Sequence, residues 1–160
     1  MKRNLFIVFV LFSIHSFSQS IPKEDLDIIQ DIYGKSKSDL VNEYMNLKEP
    51  QASAFQKIYD QYEVSRKELG SQKIQLVNDY VNNFQLLDDK KAAELAQANL
   101  KNNIDLDKLL SKTYHKVEKA VGGLNAAKFV ELEQYLQVTI RGEIQDAIPF
   151  IDEIEKRKLK

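Results

Sequence analysis

The chain has 160 residues, 43% of them hydrophobic and 29% charged, with no Cys, no Trp and a formal net charge of −1. That length suits one domain with a sizeable core. The absence of Cys excludes a disulfide scaffold, thiolate zinc sites, iron–sulfur clusters and cysteine nucleophiles, and the near-neutral balance gives no electrostatic footprint for nucleic acid.

The first twenty residues, MKRNLFIVFVLFSIHSFSQS, have the three parts of a secretory signal peptide. Lys2 and Arg3 form a positive start, Leu5 to Phe12 are uninterrupted apolar residues, and Ser16 and Ser18 stand at the −3 and −1 positions of a cleavage before Gln19. A membrane anchor is the rival reading, but a spanning helix needs about 20 apolar residues. Leu5 to Phe17 contains Ser13, His15 and Ser16 and falls short of that. The expectation is therefore an exported chain that loses residues 1–18, with residues 19–160 forming one domain without a membrane span. Removal of Lys2 and Arg3 leaves 21 basic against 24 acidic residues, a net charge of −3. It also leaves His115 as the sole imidazole, which excludes a multi-His metal centre.

Breakers are sparse in the remainder. The three Pro are Pro22, Pro50 and Pro149, and between the Pro and Gly marks the apolar residues follow a helical period. A first segment is expected from Pro22 to about Met45, with Gly34 and the KSKS stretch as a candidate break. A second runs from about Glu49 to Phe84 and carries an aromatic stripe through Phe55, Tyr59, Tyr62, Tyr80 and Phe84, which reads as core. A third starts after Asp88, a suitable N-cap, and ends at Gly122–Gly123, as glycine past a helix end should. A fourth is expected after Asn125, another plausible cap, carrying Phe129, Leu132, Leu136, Ile140 and Ile144 toward Pro149. The last residues, 150–160, read as a frayed continuation. No strand candidate occurs. The fold class is all-α, about four long antiparallel helices in an elongated or cradle-like bundle.

The middle of the second segment is weakly apolar, since the stripe there passes Arg66, Leu69 and Lys73 beside Gly70. Two readings are open: a bend or opening at Gly70 that curves the body, or a solvated stretch of ordinary helix.

Catalytic patterns are missing. His115 has Lys112, not Glu, three residues before it, so no di-iron Glu-x-x-His unit forms. Ser111 and Thr113 are its neighbours on one helix and do not converge on it as a nucleophile–base pair would. Gly122–Gly123 lacks the Lys-Ser/Thr and the preceding strand of a phosphate loop. The many carboxylates read as solvated helix faces paired with Lys at i+3 or i+4. Neither an enzyme nor a cofactor is expected.

Two segments echo each other: MNLKEPQASAF at 45–55 and GGLNAAKFVEL at 122–132. Each has a Leu just before an expected helix start, Leu47 or Leu124, and an aromatic residue inside it, Phe55 or Phe129. They resemble the paired Leu-Thr-x-x-Gln motifs of the Spy/CpxP family of exported helical proteins. In that motif Thr caps the helix, Gln completes a capping box and Leu staples the turn. The first copy keeps Leu47 and Gln51 but has Lys48 for the capping Thr, and the second keeps Leu124 and a capping Asn125 but has Lys128 for Gln. The wider resemblance covers roughly residues 39–150. It implies an ATP-independent periplasmic protein, often a cradle-shaped dimer, that holds unfolded proteins or one envelope partner. Some relatives act as chaperones, and others modulate envelope-stress sensors; the alternative reading for this chain is an envelope-stress sensor or regulatory module that binds one dedicated membrane or sigma-factor-pathway partner. Two departures stand out: family cradles are commonly basic, and the metal-responsive relatives carry His-rich segments that this chain lacks.

Overall fold

A computed structural model describes residues 24–151. The signal-peptide reading, including Ser18 and Gln19, and the tail at 152–160 lie outside the described residues. Within them the chain is all-helical, with five α-helices and no strand.

The first expected segment is two short helices, α1 (Asp25–Tyr33) and α2 (Lys37–Met45). Gly34 divides them at φ 64°, a left-handed conformation that glycine adopts without steric cost. Ser36 then caps α2 by accepting the Asp39 N–H. The second segment is one unbroken helix, α3 (Gln51–Asn83), followed by a 3₁₀ turn at Phe84–Leu86. Asp88 caps α4 (Asp89–Val121), its carboxylate accepting the Lys91 N–H. At 33 residues each, α3 and α4 are about 50 Å long. Gly122, at φ 85°, separates α4 from α5 (Gly123–Ala147). The architecture is thus two long helices, one intermediate and two short, in place of four long ones.

Cross-contacts fix the directions. Asn102 donates to the Leu69 carbonyl at 2.9 Å and Lys91 pairs with Asp79 at 2.8 Å, so numbers rise on α3 as they fall on α4. The two form an antiparallel hairpin. Along α5 and just past its end the contacts to α3 rise together, from Phe55–Phe129 to Tyr62–Glu133 and Tyr80–Pro149. Short loops force this order, because each turn reverses the chain.

Two apolar clusters form the core. One holds Phe55, Tyr59, Tyr62, Val117, Val121 and Phe129, with the Phe129 ring edge-on to all three α3 aromatics. The other holds Ile28, Ile29, Ile74, Val77, Leu136, Ile140 and Ile144. Between them, on α3 and α5 alike, lies a layer of buried charge.

That layer corrects the solvated reading of the middle of α3. Arg66 is fully buried, Gly70 is buried beside it, and the helix runs through both without opening. Gly70 is required for a close approach: a Cβ there would lie 2.2 Å from Asp25 Oδ2 and 2.7 Å from its Cγ.

Candidate functional site

The two echoing segments meet. The Phe55 and Phe129 rings are 5.8 Å apart at 74°, and the Lys128 ammonium donates to the Met45 carbonyl while lying over the Tyr44 ring. Leu47 packs half-buried against the first core cluster. Gln51, the first residue of α3, is exposed. Near it Glu49 takes the capping part, accepting the Ser53 N–H and hydroxyl. In the second copy the expected start is corrected. α5 begins at Gly123, so Asn125 lies inside its first turn and donates to the Val121 carbonyl at 3.0 Å. Leu124 is 82% exposed and staples nothing, because beginning the helix three residues earlier rotates it outward. His115 is on the surface, 3.7 Å from Glu118.

The charged layer joins four helices. Lys37 from α2 donates to Glu63 at 2.6 Å and to both oxygens of Glu133 at 2.7 and 2.8 Å. Arg66 donates through Nε to Glu63 at 2.7 Å and through Nη1 to Asp25 at 2.5 Å. Tyr62 donates its hydroxyl to Glu133 at 2.8 Å, and the Lys37 ammonium lies over the Tyr59 and Tyr62 rings. Two cations thus face three carboxylates. Side-chain exposure is 2% for Lys37 and nil for Arg66 and Glu133, so the desolvation cost is large and each charge depends on the others. Arg66 Nη2 and the Tyr59 hydroxyl have no hydrogen-bond partner among the described residues.

The pairing of Glu63 with Lys37 and Arg66 is acid-sensitive. Burial pushes the Glu63 carboxyl up, but the charges of Lys37 and Arg66 outweigh it and hold it below its ordinary value of 4.5. The unfolded chain therefore binds more protons than the folded one as pH falls through that range. Glu63's contribution is complete above pH 4.5 and is lost as pH drops through its lower folded value. Denaturant unfolding across an acid pH series is expected to give a Glu63 contribution that is complete just above 4.5 and declines below it, with a shallower decline in Glu63→Gln. Equal slopes in both proteins would contradict the assignment.

A surface groove lies along α4 and α5. Two adjoining depressions of about 300 and 710 Å³ share Asp107, Leu110 and Gln134 and form one groove. Its floor is Leu106, Leu110 and Val130, and Tyr114, Glu131 and Gln137 add polar edges. On the rim stands Val138, 67% exposed. Asp107, Ser111 and Tyr114 recur at the spacing of one helix face, as do Ala127, Gln134, Val138 and Arg141 on the facing helix. At Arg141 the groove adjoins a separate cavity of about 520 Å³ near the end of the hairpin.

Sequence reasoning missed Lys37 and Glu133. Glu133 carried a signal, since it occupies a stripe position between Phe129 and Leu136. Lys37, in the KSKS stretch, carried none. Among the described residues no cluster of three His, Cys, Asp or Glu side chains could hold a metal ion, and no helix is long and apolar enough to cross a membrane. No protein-family model, curated protein or solved structure matches the chain.

Proposed function

We propose that the protein is an exported, ATP-independent binding protein of the Spy/CpxP type that holds unfolded or partner proteins without catalysis. The observation that carries this reading is the α4–α5 groove, whose apolar floor and rim are interleaved with Asp107, Glu131, Gln134 and Gln137. A shallow surface of that kind accepts extended apolar segments of varied sequence, and its polar edges keep them exchangeable. The contact between the 45–55 and 122–132 segments adds support, because it ties both resembling motifs into one end of the core. Export with removal of residues 1–18 belongs to the same reading and places the protein in the periplasm.

The test is aggregation of a chemically unfolded client with the purified protein and no nucleotide. Suppression at near-stoichiometric ratios is expected, with several unrelated clients protected and each bound weakly. No suppression by a protein that circular dichroism shows to be helical would contradict it. A single envelope protein captured in place of generic clients would then favour a stress-signalling module.

A further inference from the structure

The cavity near the end of the hairpin has a chemistry unlike that of the groove. Its walls are apolar, with Leu76 and Tyr80 from α3, Leu95 from α4 and Ile148 just past α5. The Tyr80 hydroxyl closes one side by donating to the Pro149 carbonyl at 2.9 Å. Two cations line it, Lys73 and Arg141, and no Asp or Glu does so among the described residues.

Among the described residues neither cation has a close carboxylate partner. Lys73 donates to two neutral amide oxygens, those of Asn99 and Asn103. Among the described residues Arg141 reaches only Asp107, at 3.6 Å from Nη2, and that carboxylate is itself 75% exposed. Its Nε is buried without a hydrogen-bond partner among the described residues. Burial, with the neighbouring Arg141 charge, pulls the Lys73 ammonium down to about 8. Two like charges in an apolar recess with donors to spare are the requirements of an anion, because an anion relieves both the repulsion and the unmet donors. The volume, about 520 Å³, lies within the usual range of about 300–1,000 Å³ for small-ligand sites. Along α4 the wall from Ala92 to Asn103 extends about 16 Å, the reach of a medium-length alkyl chain.

We propose that this cavity binds a single-chain amphiphile with a carboxylate head, the head on Lys73 and Arg141 and the chain among Leu76, Tyr80, Leu95 and Ile148. The assignment does not rest on client holding, since the groove residues take no part in it apart from Arg141 at the junction.

Calorimetric titration of the purified protein with dodecanoate, kept below its micelle concentration, tests the idea against dodecanol and dodecyltrimethylammonium. Saturable binding of one dodecanoate per chain is expected, with the neutral and cationic probes weaker by about tenfold or more. Lys73→Gln and Arg141→Gln are each expected to weaken dodecanoate by about tenfold while leaving the thermal midpoint in place. Equal affinity for the three head groups, or no saturable binding of dodecanoate, would overturn the proposal. The head-group comparison uses the unmodified protein, so it decides the matter even where a variant fails to fold.

Discussion

Glu133→Ala is expected to destabilise the protein by about 3–5 kcal/mol, the usual cost of removing one partner from a buried ion pair. The magnitude follows from what is left behind. Lys37 would lose two of its three carboxylate contacts while its side chain stays 2% exposed, and the Tyr62 hydroxyl would lose its acceptor. The pair as a whole is worth far less, because its Coulomb energy mostly offsets its own desolvation. Lys37→Met combined with Glu133→Leu is therefore expected to recover most of the loss. Urea unfolding of the two single variants and the double variant measures this directly. A Glu133→Ala protein within about 1 kcal/mol of the original, inside the scatter of surface substitutions, would mean that the layer is not closed to water.

Gly70→Ala has two opposed effects, and their sizes set the sign. An alanine in a helix interior gains about 1 kcal/mol over glycine. Against that, the new Cβ would meet the Asp25 carboxylate at 2.2 Å, displacing it from Arg66. Arg66 already has one nitrogen without a partner, so losing Asp25 leaves a fully buried guanidinium on Glu63 alone. Breaking such a pair costs about 3–5 kcal/mol, for a net destabilisation of about 2–4 kcal/mol. The loss should be local, with hydrogen exchange accelerating in α1 before the α3–α4 hairpin. Non-additivity supplies a sharper check: on an Asp25→Ala background the clash partner is gone, so Gly70→Ala should cost nothing and stabilise slightly. A hinge at Gly70 predicts stabilisation in both backgrounds.

Much of the fold was legible because local signals and tertiary needs agree. Asp88 caps α4, Gly122 ends it, and the aromatic stripe through Phe55, Tyr59 and Tyr62 is core. Asn125 misled because two capping candidates lie three residues apart, and the chain starts the helix at the glycine pair. The buried charges were harder for a different reason. Arg66 on an apolar stripe reads equally well as a gap in the stripe or as a paired cation, and its partner Asp25 is 41 residues away. Lys37 and Glu133 are 96 apart. Nothing in the periodicity of one helix specifies a contact at that range. The groove was invisible for the same reason, since it exists only where α4 and α5 leave their facing stripes incompletely covered.

The groove's role is open to a direct test by photo-crosslinking. A photoreactive phenylalanine analogue replaces either Val138, on the rim, or Lys57, an exposed residue of α3 outside the groove lining, and each protein is illuminated with an unfolded client. Both positions are exposed, so neither substitution should disturb the fold. Strong client crosslinks from position 138 and few from position 57 are the predicted result. Equal yields from both positions, or a preference for position 57, would contradict the assignment of client holding to the α4–α5 groove.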